Sequence, residues 1–175
     1  MELTKIIKKL ETLAKDKTTN IFIGGSYALK HYYGLLDREP GDLDIIIYEF
    51  TKEQFDWLNE HFTVRNNDHS NIYDDIDPAN TCSIFYIDSL FNGEKKSINF
   101  IVYKDERRYY ETSSNSTFPT MYGIPVLSLK AIIDAKLEYN RNKDANDILK
   151  MINKIMTPTQ KHLSRKLYYE ANPII

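Results

Sequence analysis

Cys82 is the only cysteine in the 175-residue chain, so no internal disulfide can form and a reducing compartment is the natural setting. Long apolar runs are missing too. The longest, such as Ile45–Tyr48, fall far short of the roughly 20 residues needed to cross a bilayer as a helix. The start, Met1-Glu2-Leu3-Thr4-Lys5, lacks the apolar stretch of a signal peptide. Together these absences predict a cytoplasmic protein without a membrane partner. Neither sign of charge dominates: 23 Lys and Arg stand against 25 Asp and Glu, for a net charge of −2. That balance gives no global pull toward nucleic acid or anionic lipid, so any such partner would be met by a local patch. There is no internal repeat, and His31, His61, His69 and His162 show no metal-ligand spacing.

What the chain does have is core material. It is 42% hydrophobic and 27% charged, as globular proteins are, and its 13 tyrosines and 8 phenylalanines supply bulk. This length predicts one domain, or a compact core with a small helical appendage. Leu3, Ile6, Ile7, Leu10, Leu13 and Ala14 recur at helical spacing with lysines opposite. Ile21–Ile23 reads as a short buried strand, Ser26–Tyr33 as a helix, Leu35–Gly41 as a loop and Leu43–Tyr48 as a second strand. Thr51 can cap a helix to about His61, and the acidic stretch Asn66–Asn80 reads as loop. Ser83–Ile87 and Ser97–Tyr103 read as strands joined through Asn92-Gly93, a pair that tolerates positive φ. Ser128 can cap a helix to about Asn140, with further helices at roughly Lys143–Ile155 and Thr159–Tyr169. The expected class is α+β, with a core over residues 1–125 and a helical segment over 126–175 packed on it.

Two short motifs carry chemistry. Gly24-Gly25-Ser26 lies between a strand and a helix, where small residues let backbone N–H groups approach a phosphate and the helix start adds positive partial charge. The bland alternative is a tight turn. Asp42-Leu43-Asp44 opens the next strand, so both carboxylates project from one face while Leu43 and Ile45 enter the core. Carboxylates held that close repel unless a cation joins them, and Mg²⁺ takes a few carboxylates together with waters and phosphate oxygens. Here the alternative is a solvated strand start. Asp74, Asp75 and Asp77 form an acidic loop without the EF-hand pattern. Lys150, Lys154, Lys161, Arg165 and Lys166, with Tyr168 and Tyr169, form either a solvated helix face or a grip for RNA phosphates and bases.

Taken together, Ile21 to Leu29 and Arg38 to Ile45 resemble the signature of the nucleotidyltransferase superfamily, the DNA polymerase beta-like fold: strand, Gly-Gly or Gly-Ser, helix, then Asp-x-Asp. Arg38 before the Asp-x-Asp, and Lys136, Arg141, Lys143, Asp144 and Asp147 further on, are similar to the AbiEii-type branch, toxins of bacterial abortive-infection systems. The resemblance covers about residues 20–50 and 95–150. It implies a short mixed sheet with packed helices, and Mg²⁺-dependent (or Mn²⁺-dependent) transfer of a nucleoside monophosphate from an NTP to an acceptor hydroxyl. The acceptor would be RNA (tRNA in particular), a protein or a small molecule. It assigns Asp42 and Asp44 to the metal, and Gly24, Gly25, Ser26, Arg38, Lys136 and Arg141 to the nucleotide. For Asp144 and Asp147, helix capping or salt bridging is the expected role. A partner protein or a second copy could complete the acceptor site.

One departure from the pattern bears on catalysis. Active members add a third carboxylate from a neighbouring strand, as general base and as part of a two-metal site. The matching position on Ile98–Val102 is Asn99, which can ligate weakly through its carbonyl but cannot take up a proton. Asp88 on the adjacent strand is the substitute, with Asp105 further along. Losing the base costs on the order of 10²–10⁴-fold in rate. The alternative is therefore a catalytically degenerate member that binds nucleotide or another protein.

Overall fold

Short apolar runs bounded by turn residues form buried strands, and two of them, one at the sheet edge and one inside it, set the frame here. In a computed structural model describing residues 1–14, 21–62, 65–66, 83–91, 93–104 and 119–156, β1 (Ile21–Ile23) pairs antiparallel with β2 (Leu43–Ile47). Residues 65, 66 and 83–86 are described by their backbone alone. Strand β2 pairs in parallel with β5 (Glu94–Val102), which forms an antiparallel hairpin with β4 (Ser83–Phe91). The short β3 (Arg65–Asn66) closes the edge, giving a five-stranded mixed sheet in the order β1-β2-β5-β4-β3. Cys82, Asp74, Asp75, Asp77, Asp105, His69, His162, the Asn92 of the turn, and the tail with its expected helix, including Lys161, Arg165, Lys166, Tyr168 and Tyr169, lie outside the described residues.

The expected α+β class holds, with a short mixed sheet and packed helices. Leu43, Ile45 and Ile47 lie opposite Ile98, Phe100 and Val102, and all six are fully buried on one face. Helix α1 (Leu3–Thr12) buries Leu3, Ile6, Ile7 and Leu10, the stripe its periodicity predicts. Helix α2 (Gly25–His31) begins one residue earlier and ends two earlier than expected. Helix α3 (Lys52–His61) starts at Thr51 with a full capping box: Thr51 Oγ1 accepts from Gln54 N, and Gln54 Oε1 accepts from Thr51 N. Gln54 is completely buried because its Nε2 also donates to Leu10 O at 2.8 Å, so one side chain caps α3 and ties it to α1.

Two features differ from the sequence expectation. Strands β4 and β5 extend to Phe91 and begin at Glu94, well past Ile87 and before Ser97. Glu94, expected in the connection, opens β5, and Asp88, Glu94 and Lys95 project outward from the paired hairpin, which solvent tolerates. The turn between them is the expected tight one, with Gly93 at φ +78°. A second hairpin, β6 (Thr120–Met121) with β7 (Ile124–Pro125), has strands too short to show periodicity. Its turn residues Tyr122 and Gly123 both have positive φ, at 55° and 79°. This hairpin delivers Val126 to a parallel bridge with Ile23, and Leu127 N then donates to Ile23 O at 3.0 Å. Helix α4 (Leu129–Tyr139), capped by Ser128 as expected, therefore starts beside the end of β1, and α5 (Asn142–Ile155) packs against it.

Gln54→Ala should destabilise the protein by about 1–3 kcal/mol in urea unfolding, because it strips buried partners from Leu10 O and Thr51 N. A loss below about 0.5 kcal/mol, typical of surface changes, would contradict this account of how α3 is held.

Candidate active site

The turn after β1 is built around an approach that only glycine permits. Gly25 has φ +60°, and a Cβ there would stand 1.8 Å from Asp44 Oδ2. The Asp44 carboxylate thus occupies the space a side chain at Gly25 would fill. Gly24 N donates to Asp44 O at 3.0 Å, fastening the turn to β2. Across β2, Asp44 lies directly beside Asn99 in the parallel register with β5. Asn99 is 6% exposed, and its Nδ2 donates to Asp42 Oδ2 at 2.7 Å and to Asp44 Oδ1 at 3.0 Å. Both carboxylates are therefore drawn to one amide nitrogen on the face they share. Asn99 Oδ1 is buried with no hydrogen-bond partner among the described residues.

Ser26, first in line after the glycines, sits against two cations. Its Oγ accepts from Arg38 Nη2 at 2.9 Å and from Lys136 Nζ at 3.3 Å. Arg38 grips Asp147 with two hydrogen bonds, Nε to Oδ1 at 3.0 Å and Nη2 to Oδ2 at 2.7 Å. Lys136 Nζ lies 2.9 Å from Asp144 Oδ1 and 3.0 Å from Asp147 Oδ2. Arg141 pairs with Asp144 and stacks 5.1 Å over the Tyr139 ring. Asp144 and Asp147 do form the expected salt bridges, but inside the protein, at 0% and 2% exposure, and not on a solvated helix face. Capping is not their role: the residue at the N-cap of α5 is Arg141, and it makes no side-chain cap bond. With α2 only seven residues long, the positive charge beside Ser26 comes chiefly from these side chains and not from a helix dipole.

Asp88 is not brought to this cluster. It lies opposite Ser97, two rungs from Asn99, where it is exposed and pairs with Lys95 at 3.3 Å. Among the described residues, no three His, Cys, Asp or Glu side chains cluster so as to hold a metal. Lys154, part of the basic run, pairs with Asp37 at 2.6 Å and so fastens α5 to the loop after α2.

A cavity of about 220 Å³ connects these groups. Its polar end carries Gly25, Ser26, Asp42, Asp44, Asn99, Lys136, Arg141 and Lys143. Its other end is apolar: Ile46, Tyr48, Ile101 and Tyr103 from the sheet, and Leu127 and Ile132 from the α4 side. Tyr48 and Tyr103 stack there with centroids 5.2 Å apart. The period of two that pairs Asp42 with Asp44 continues through Ile46 and Tyr48, and Asn99 leads likewise to Ile101 and Tyr103. The apolar end is therefore carried by the same period of two in the sequence. At about 3.3 Å per residue, the face from Asp44 to Tyr48 runs about 13 Å.

The electrostatics separate two kinds of carboxylate. Burial, and then the neighbouring Asp42, push the Asp44 carboxyl from 3.8 up to about 6, against the pull of Asn99, Lys136 and Lys143. For Asp144 and Asp147 burial also acts upward, but hydrogen bonds from Arg141 and Lys136, and from Arg38 and Lys136, more than offset it and hold both below the ordinary value. Among the described residues, Asp42 and Asp44 have no cationic side chain bonded to them, unlike Asp144 and Asp147. The two carboxylates supply hard oxygens of the kind a Mg²⁺-type cation takes, with its other positions left to water and phosphate, while Asn99 turns its N–H group toward them.

No family model matches the chain, and no curated protein matches it. Among solved structures it is similar to a candidate nucleotidyltransferase from H. pylori, at 19% identity and TM-score 0.40, covering 77% of this chain and 55% of that one. It is also similar to JHP933 from Helicobacter pylori, at 16% identity and TM-score 0.47, covering 87% and 64%. A third is ANT(2")-Ia, solved in complex with adenylyl-2"-tobramycin, at 13% identity and TM-score 0.43, covering 96% and 99%. The chain thus spans between half and two-thirds of the length of the two Helicobacter chains. At identities and TM-scores this low, what the site does is read from its own residues. Among the described residues no helix is long and apolar enough to cross a membrane.

The raised Asp44 carboxyl makes a signed prediction. A folded value above the unfolded one stabilises below the ordinary value, and that contribution is lost as pH rises through about 6. Without metal, Asp44→Asn should therefore gain most over wild type above about pH 6, and the gain should shrink as pH falls toward 3.8. Urea midpoints of both proteins across this range check it; a difference independent of pH would contradict it.

Proposed function

We propose that the chain is a Mg²⁺-dependent nucleotidyltransferase that moves a nucleoside monophosphate from an NTP to an acceptor hydroxyl. The observation carrying this reading is the Asp42–Asp44 pair facing Ser26, itself bonded by Arg38 and Lys136, across one cavity. In this reading Asp42 and Asp44 hold the cation, which supplies charge neutralisation at the phosphates. Ser26 and the Gly24-Gly25 turn take phosphate oxygens, and Arg38, Lys136 and Arg141 balance the triphosphate. The apolar end, with its stacked Tyr48 and Tyr103, suits a nucleobase. The acceptor hydroxyl gives its proton to solvent water, its oxygen bonds to the α-phosphorus, the bond to the β-phosphate oxygen breaks, and pyrophosphate leaves. RNA, a protein or a small molecule remains the acceptor class, and a partner protein or second copy would supply what the site lacks for it.

Asn99 favours a second reading, a nucleotide-binding module without transfer, because a carboxamide takes up no proton where a general base belongs. The AbiEii-type resemblance extends the first reading toward phage defence or a toxin–antitoxin pair, by analogy alone.

Incubation with each α-labelled NTP, Mg²⁺ and a whole-cell extract that retains RNA, protein and small molecules separates the two. Transfer predicts label in an acceptor with stoichiometric pyrophosphate, reduced to background by Asp42→Asn or Asp44→Asn. Nucleotide retained on the wild-type protein with neither label transfer nor pyrophosphate would replace the first reading with the second.

A further inference from the structure

A carboxamide differs from the carboxylate it replaces in one useful respect: it is a donor at one end and an acceptor at the other. We propose that Asn99 works in two orientations. In one its N–H groups hold Asp42 and Asp44 together in the absence of a cation; in the other its Oδ1 joins the two carboxylates around a single divalent ion. The proposal rests on the cation site of the preceding section and adds the number of ions and the role of Asn99.

Three observations support it. The parallel register fixes Asn99 beside Asp44, and its side chain is 6% exposed. Its Nδ2 bonds both carboxylates, at 2.7 Å and 3.0 Å, which offsets the repulsion that a bound ion would otherwise have to offset. Its Oδ1 is the one buried side-chain atom without a partner among the described residues, in a side chain 6% exposed. A buried polar atom left unpaired in an otherwise satisfied structure calls for an explanation. The terminal torsion of asparagine is broad and nearly two-fold, so half a turn exchanges Nδ2 and Oδ1 without moving the strand. The exchange trades one unpaired atom for another. With no cation, Oδ1 against two carboxylates is repulsive, and the observed orientation wins. With a cation there, Oδ1 is a hard oxygen ligand and the N–H groups are the intruders, so the orientation reverses. The ligand set then carries two negative charges, matched to one divalent ion, where a third carboxylate would draw in a second.

The test uses Mg²⁺ and Mn²⁺ themselves on the full chain. In ¹⁵N–¹H spectra the Asn99 side-chain NH₂ pair, assigned by its loss in Asn99→Asp, should shift on adding Mg²⁺ as its bonds to the carboxylates are lost. Counting Mn²⁺ by electron paramagnetic resonance should give one ion for wild type, about tenfold weaker binding for Asn99→Ala, and tighter binding or a second ion for Asn99→Asp. If Asp44 responds to Mg²⁺ while the Asn99 pair stays fixed, or Asn99→Ala binds as tightly as wild type or tighter, Asn99 is a donor only and the proposal fails while the cation site stands. If Asn99→Asp binds Mn²⁺ and wild type does not, Asn99 blocks the site and the proposal again fails. If neither binds Mn²⁺, the cation site itself is overturned.

Discussion

Asp44 and Asn99 are neighbours because β2 and β5 run parallel in one register, and the chemistry of the cavity follows from that adjacency. A shift of one residue would turn either side chain to the opposite face, among Leu43, Ile45, Ile98 and Phe100, where a carboxylate has no partner. The apolar residues of that face therefore fix the polar residues of the other. The Gly25 turn adds a second constraint from the end of β1: it leaves room for the Asp44 carboxylate and for no side chain of its own.

The cationic half of the site is organised by a different balance. Arg38, Lys136 and Arg141 would be drawn to Asp42 and Asp44 if nothing else held them. Asp144 and Asp147 hold them instead, through bonds of 2.7–3.0 Å from Arg38 and Lys136. Buried ion pairs add little net stability once desolvation is counted, but removing one partner strands a charge. The use of this network is positional. It keeps two cations on Ser26 Oγ and leaves the Asp42–Asp44 pair to Asn99, so acidic and basic groups share a cavity without cancelling each other.

Much of this was legible in the sequence, and the reasons it was or was not are physical. Alternation along Leu43–Ile47 fixes the faces of Asp42 and Asp44 because strand geometry is local. Asn99 beside Asp44 is what the family resemblance implies and the parallel register of β5 with β2 produces, since the apolar run Ile98–Val102 by itself names no partner. The burial of Asp144 and Asp147 was not legible: charges three apart on a helix look the same whether they face water or a buried lysine. What decides between the two is Arg38, 109 positions from Asp147 in the chain. Asp88 as a substitute carboxylate failed for a related reason, since sharing a hairpin with Asn99 does not bring it to the same rung. The β6–β7 hairpin, too short for periodicity, is what brings α4 and Lys136 to the end of β1.

The central claim is that Asp42 and Asp44 form a cation site through which the cavity takes a nucleoside triphosphate. Thermal melts of wild type and Asp44→Ala with each NTP, with and without Mg²⁺, test it most directly. Ligand at about 100 times its dissociation constant adds about 2.7 kcal/mol, which at this chain length raises the midpoint by about 5–11 °C. The account predicts such a rise for at least one NTP, dependent on Mg²⁺ and absent in Asp44→Ala. No rise with any NTP, or a rise that survives without Mg²⁺ and in Asp44→Ala, would contradict it.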